Sequence, residues 1–305
     1  MTVQPAMNNL KTLNFGGASS VIDPEMLSTV YDIIFDLANQ GQFLQDLEIQ
    51  NNFLSEYQAW IRASQLNQLS GLDQFPIAAF SNGTTESFDK FYLKNSCRRF
   101  RCFRGEYMYH QAAWRNYFPT WKYIEDEPLA SGDAVVISMP FSDTGEIHPE
   151  SMTVLDQCDA LGIPVLIDCA FFGICQDIKF NFDRPCITDI TFSLSKSFPV
   201  ANLRIGMRLT RTDDDDSLLV HNKTNYNNRL ACAVGSQLLR TCTADYNVNT
   251  WRKTQIKFCE QLGVVPSRSV VFGLGGPEFS KYNRGGKTNR LCFAKYLHSG
   301  ILPRD

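Results

Sequence analysis

Lys196 closes the run Ile187-Thr-Asp-Ile-Thr-Phe-Ser-Leu-Ser-Lys196. A lysine at the end of a buried strand, among Ser193, Ser195 and Ser197, is unusual because lysine is rarely buried without a partner. In a desolvated pocket its ammonium form is disfavoured, and the neutral amine is a nucleophile able to form a Schiff base. By itself, a lysine at that place is more often a surface residue at a strand end. Spacing adds to it. Arg204 stands eight positions on, before Ile205 and Gly206, and an arginine fork suits a fixed phosphate better than a lysine does. Ser193-x-x-Lys196 also matches a serine-acylase pattern, but the Ser-Asp-Asn and Lys-Thr-Gly companions of that chemistry are missing.

Two upstream segments could serve the same chemistry. Ser81-Asn-Gly83-Thr84-Thr85-Glu follows a short apolar run and precedes a helical pattern. Free backbone N–H groups at such a junction, with the helix dipole and two hydroxyls, make an anion cradle. An ordinary helix N-cap has a similar sequence. Pro164-Val-Leu-Ile-Asp168-Cys-Ala170-Phe171-Phe172-Gly puts an acid after an apolar strand. That is the sheet edge where α/β proteins bind ligands, although a plain strand-end cap reads the same way.

The elements that must position these residues alternate. Pro24–Gly41 reads as a helix with Met26, Val30, Ile33, Ile34 and Leu37 on one face, and Asn51–Gln68 as a second. Strands are expected at Phe75–Ser81, Ala134–Met139, Pro164–Ile167, Ile187–Phe192 and Leu203–Leu209, with helices at Ser87–Lys94 and His148–Leu161. Near-continuous apolar strands between helices predict an α/β fold with a mostly parallel sheet covered on both faces. Helical patterns at Arg229–Thr241 and Thr250–Leu262, then strands at Ser269–Phe272 and Arg290–Ala294, predict a small α+β cap. The expected division is an N-terminal arm and helix over 1–45, a large domain over 46–245 and a reduced C-terminal domain over 246–305.

Composition narrows the classes. The 305 residues are 44% hydrophobic and 20% charged with a formal net charge of −3, which gives no electrostatic case for nucleic acid or an anionic membrane. No apolar stretch approaches the ~20 residues that span a bilayer, and the first residues lack a secretory signal pattern. The ten cysteines form no C-x-x-C pair, and the four histidines show no i, i+4 pair, so neither a disulfide frame nor a metal site is expected. Buried thiols point to a reducing compartment, and the expected location is the cytoplasm. The acidic run Asp213–Asp216 reads as a solvated turn.

The order Ser81-Asn-Gly-Thr-Thr-Glu, Ser142-Asp-Thr144-Gly145, Asp168-x-Ala170 and Ser193-x-x-Lys196 with Arg204 resembles the fold-type I pyridoxal-phosphate (PLP) enzymes of the class I/II aminotransferase family, over roughly residues 75–210. The resemblance implies PLP as cofactor, held by Lys196 as a Schiff base. It implies that Gly83, Thr84, Thr85, Ser193 and Arg204 hold the phosphate. Asp168 pairs with the pyridine nitrogen, where a carboxylate keeps the ring protonated and able to take up electrons. Ala170 packs on one ring face, and Tyr107 or Tyr109 of Gly105-Glu-Tyr-Met-Tyr stacks on the other, Tyr107 being preferred. Arg290 falls where the family forks the substrate's α-carboxylate, a surface ion pair being the alternative. Gly17 of Phe15-Gly16-Gly17 is the N-terminal candidate for substrate contact.

Two departures stand out. The family's Asn-Pro-Thr-Gly is Ser142-Asp-Thr-Gly here, and Phe171 stands where a tyrosine commonly reaches the cofactor's 3′ oxygen. The implied activity is transfer of an amino group between an amino acid and a 2-oxo acid, in a homodimer. Other PLP chemistry (lyase, cyclase, racemase or oxidative decarboxylase) shares the same lysine, acid and phosphate cup. A non-catalytic PLP-binding protein is the third reading, disfavoured by the retained Lys196.

Overall fold

A computed structural model describes residue 10 and residues 12–299. The first long helix, α1 (Pro24–Gln40), begins where the Asp23 carboxylate accepts from the Glu25 amide at 3.0 Å and proline occupies the first turn. It buries Met26 and Val30, with Ile33, Ile34 and Leu37 packed at the core margin. Helix α2 (Ile49–Arg62) ends six residues before the sequence expectation. The reason is local: Ser64 Oγ and the Gln65 amide both bond the Asp245 carboxylate, at 2.6 and 2.7 Å, and pull the chain out of helical register. The next residues form β1 (Gln68–Ser70), paired in parallel with β7 (Lys179–Asn181).

The central sheet has seven strands in the order β2-β9-β8-β6-β5-β3-β4. These are β2 (Ile77–Asn82), β3 (Arg99–Cys102), β4 (Trp121–Tyr123), β5 (Asp133–Ser138), β6 (Val165–Asp168), β8 (Ile187–Ser193) and β9 (Ile205–Thr210). Only β9 runs against its neighbours. Every residue of β5 and β6 is buried, which follows from helices on both faces. Val135, Ile137 and Ile167 belong to the core that also takes residues of α2 and α7 (Arg229–Thr241). Ala134, Val136 and Leu166 face Phe88, Phe91 and Tyr92 of α3 (Thr84–Lys94). Helix α5 (Ser151–Leu161) links β5 to β6. The period of two along each strand thus divides one sheet between two cores.

Strands β3 and β4 and helix α4 (Met108–Tyr117) went unpredicted. Arg99 and Arg101 break the apolar pattern of β3. Tertiary pairing removes the conflict: Arg101 is fully buried and bonds the buried Asp133 carboxylate at 2.7 Å, which also takes Arg99 at 2.7 Å. The acidic run is also more structured than a solvated turn. Asp214 pairs with Lys94 and Asp213 with Lys223, both at 2.7 Å. Asp216 pairs with Arg208 and caps α6 (Ser217–Lys223). Among the described residues no cluster of His, Cys, Asp or Glu could hold a metal ion. No described helix is long and apolar enough to cross a membrane.

After α8 (Tyr246–Leu262) come β10 (Val265–Pro266), β11 (Phe272–Gly275) and β12 (Asn289–Cys292), an antiparallel three-stranded sheet. The strand expected at Ser269–Phe272 starts only at its last residue. Gln255 of α8 donates its side-chain amide to the carbonyls of Ser267, Ser269 and Phe272, and ahead of Phe272 the segment makes a single bridge, Ser269 to Cys175, in place of a strand.

Candidate active site

Strand register brings Ser138, Asp168 and Thr191 side by side at the carboxyl edge of the sheet. A cavity of about 410 Å³ opens there, at the edge where α/β sheets bind ligands. Beyond the end of β8 the chain turns, and Lys196 projects into the cavity and donates to the Ala18 carbonyl at 2.7 Å. Burial lowers its pKa, and the Arg290 and Arg204 charges act the same way against Cys292 and Asp168. The neutral amine is therefore more accessible than on a surface lysine.

Asp168, the last residue of β6, is 5% exposed and accepts from the Ala170 amide at 3.0 Å. Burial pushes its pKa up to about 7, opposed by the Ala170 amide and the Lys196 charge. A carboxyl so poised ionises readily when a cationic group is set against it.

The anion cradle forms at the other end of the cavity. Helix α3 begins at Thr84, three residues before the sequence expectation, so Gly83 is its cap and its first amides face the cavity end. Gly83 has φ +72°, and a Cβ there would lie 2.3 Å from Arg204 Nη2. A Cβ on Gly206 of β9 would in turn lie 2.9 Å from Gly83 Cα. Two glycines therefore let strand, helix start and guanidinium converge. Arg204, itself at φ +56°, donates to Thr85 Oγ1 at 3.0 Å. Ser193 and Ser195 share a hydroxyl hydrogen bond of 2.8 Å beside them. Thr84, Thr85, Ser193, Ser195 and Arg204 all line the cavity.

Tyr107 lines the cavity, whereas Tyr109 turns away to donate to Asp89 at 2.8 Å. Phe171 lines the cavity with Ala170 and packs edge-on against Phe272, ring centroids 5.3 Å apart. Arg290 on β12 is 4% exposed, which removes the surface ion-pair alternative. Its guanidinium stacks 4.3 Å over the Phe272 ring and donates to the carbonyls of Gly17, at 2.9 Å, and of Ser142. Burial lowers its pKa to about 9, with the neighbouring Arg284 charge acting the same way. Every expected site residue lines this cavity except Gly83, which touches it through Arg204.

Sequence reasoning missed two participants. Arg284 lines the cavity and donates to Ser142 Oγ at 3.1 Å, so the Ser142 proton stays free to donate. Glu106 is fully buried under Ser138 and accepts from its amide at 2.8 Å and from its hydroxyl. Burial pushes its pKa up to about 8 against those bonds, with Asp168 adding to the rise. Glu106 adjoined a quoted tyrosine, and a lone acid in an aromatic run was the available signal. Arg284 gave none, being 142 positions from the residue that it contacts.

No protein-family profile and no curated protein sequence matches the chain. Solved structures do. Tyrosine aminotransferase from Leishmania infantum superposes with a TM-score of 0.67 at 13% identity, covering 98% of this chain and 96% of that one. A double mutant of Thermus thermophilus aspartate aminotransferase gives 0.65 at 12%, covering 99% and 95%. A PLP-bound C–S lyase from Staphylococcus hominis gives 0.66 at 13%, covering 97% and 91%. The mostly parallel sheet with its single antiparallel strand, flanked by helices, is the fold of the fold-type I PLP-dependent enzymes.

Proposed function

We propose that this protein is a PLP-dependent aminotransferase that moves an amino group between an amino acid and a 2-oxo acid. The observation that carries this reading is one cavity holding a desolvated lysine, a buried carboxyl with no cationic hydrogen-bond partner among the described residues, and an arginine–hydroxyl anion cradle. These residues fit the cofactor: Arg204, Thr84, Thr85, Ser193 and the start of α3 suit its phosphate, Asp168 its ring nitrogen and Lys196 its aldehyde carbon. When bound, the group supplies an electron sink for the bond broken at the substrate α-carbon.

Lys196 would hold the group covalently through Nζ. Lys196 Nζ, once free, would be the base that takes the proton from the substrate Cα and the acid that returns it. Asp168 would hold a proton on the ring nitrogen. Arg290 forks the α-carboxylate and so fixes which Cα bond breaks. Tyr107 and Ala170 would pack against the ring, and Ser142 has a free proton to offer it.

Phe171 favours a second reading, in which the same residues serve a lyase or decarboxylase, since it offers no hydroxyl where the family commonly has one. C–S lyase and L-threonine-O-3-phosphate decarboxylase structures share the fold. The reading carries a homodimer with it, supported by exposed Tyr107 and Met108 at the cavity rim, and sedimentation tests that. A reducing compartment such as the cytoplasm suits ten free thiols, nine of them buried.

The test is chemical. Borohydride should fix the cofactor on the peptide containing Lys196, and a panel of amino acids should convert the bound pyridoxal form to the pyridoxamine form. A label on another lysine, or no cofactor bound, overturns the proposal. A labelled Lys196 with a different product would select the second reading.

A further inference from the structure

We propose that Arg284 is a second carboxylate-binding residue, acting together with Arg290 on a single carboxylate of the substrate. This rests on the reading of the cavity as an amino-acid site.

The two arginines come from one short segment, Arg284 in the loop before β12 and Arg290 within it. Arg284 Nη1 donates to the Ser142 carbonyl at 3.2 Å, and Arg290 Nη1 donates to the same oxygen. A shared acceptor sets the guanidiniums side by side, and both line the cavity. Among the described residues neither has a carboxylate within ion-pair distance. Their acceptors are neutral: the carbonyls of Ser142, Gly17 and Glu106, and the Ser142 hydroxyl.

The acids nearby make no hydrogen bond to either guanidinium through their carboxylates. Asp143 bonds Thr288 Oγ1, and Glu106 turns its carboxyl to Ser138 while offering Arg284 only its backbone oxygen. Each guanidinium has five N–H donors. Arg284 spends three and Arg290 two on the protein, and Arg290 Nε is buried with no acceptor. Asp143 and Glu106 act on these cations only beyond ion-pair distance, so two adjacent, largely desolvated guanidiniums with unspent donors form a site for an anion.

The shared acceptor also decides the kind of anion. A carboxylate has about four lone-pair sites and can accept from both forks at once. Two acid groups held apart by a carbon chain need cations that are held apart. The geometry therefore points to the α-carboxylate of a 2-amino or 2-oxo acid, with no demand for an acidic side chain.

Calorimetric titration of the full-length protein, with and without cofactor, tests this using propionate and succinate as probes. Arg284→Ala and Arg290→Ala should each weaken propionate by about ten- to a hundredfold, with Arg284→Lys recovering part of the loss. Wild type should show little preference for succinate. A strong succinate preference that disappears only in Arg284→Ala would make Arg284 a separate second-carboxylate site and overturn the proposal. Unchanged binding of both probes in Arg284→Ala, with a lowered unfolding temperature, would reduce it to a brace for Ser142. Failure of the cofactor reading would show elsewhere, as an unlabelled Lys196, because titration without cofactor does not depend on it.

Discussion

At the scale of single residues, the cavity is defined by what its side chains can still donate. Ser142 accepts from Arg284 and keeps its own proton free, whereas Phe171 offers only a ring edge packed on Phe272. Under the proposed function the cofactor's 3′ oxygen would meet one donor in place of two, so its anionic form would be less supported and the bound chromophore should lose its proton only on the alkaline side of neutrality. Phe171→Tyr should move that spectral transition to lower pH. A transition already complete below neutrality in the wild type would place another donor at that oxygen. Lys196→Ala should retain cofactor through the phosphate cradle but take no borohydride label. Its turnover should fall by at least about 10²–10⁴-fold, the usual contribution of a positioned acid–base group. Labelling elsewhere with activity retained would remove Lys196 from the chemistry.

Elements contribute by close approach. The anion cradle proposed to take the phosphate exists because β9, the start of α3 and Arg204 meet over two glycines. Gly83→Ala sets a Cβ against Arg204 Nη2 at a φ that L side chains rarely adopt, so the guanidinium must leave. Affinity for pyridoxal phosphate should fall about ten- to a hundredfold, while affinity for pyridoxal, which has no phosphate, changes little. Equal losses for both ligands would show general distortion instead. At the sheet edge, Asn222 of α6 bonds both the amide and the carbonyl of Phe80, at 2.7 and 3.0 Å, and stands in for a further strand beside β2. Asn222→Ala leaves both groups buried and unpaired. It should cost about 2–3 kcal/mol of stability in urea unfolding. A loss within error of zero would mean that water replaces the amide.

Over the whole molecule, buried titratable groups make stability depend on pH in two opposed ways. Glu106 and Asp168 keep protons in the folded state, up to about 8 and about 7, that the unfolded chain releases near the ordinary carboxylate range. They favour folding at low pH and lose that contribution as pH rises. His110 and His148, lowered by burial to about 3 and about 4, act in reverse and contribute fully only above the ordinary imidazole value. Of these four groups only the two carboxyls still titrate above about pH 6.5. The unfolding free energy of cofactor-free protein should therefore fall between about pH 6.5 and 8, by at most about 1.4 kcal/mol per pH unit for each proton. Glu106→Gln should flatten that decline in paired urea melts, and an equally steep fall would assign it to other groups.

The sequence by itself determined the alternation of strands and helices, because period-two and 3–4 patterns record which faces are buried. Burial of both sheet faces is what made β5, β6 and β8 legible. It also determined which residue types could do the chemistry: Lys196, Asp168, Arg204 and the Gly83-Thr84-Thr85 turn all proved to converge. Strand β3 was hidden, because Arg101 is compatible with a core only once Asp133 lies across from it. Tyr107 was preferred over Tyr109 on the sequence, and tertiary structure supplies the reason, since Tyr107 lines the cavity while Tyr109 bonds Asp89. Tertiary structure alone paired Arg284 with Arg290 on the Ser142 carbonyl and set Glu106 beneath Ser138. Those contacts join residues far apart in the chain, and desolvation, which depends on the assembled surroundings, gives them their chemical character.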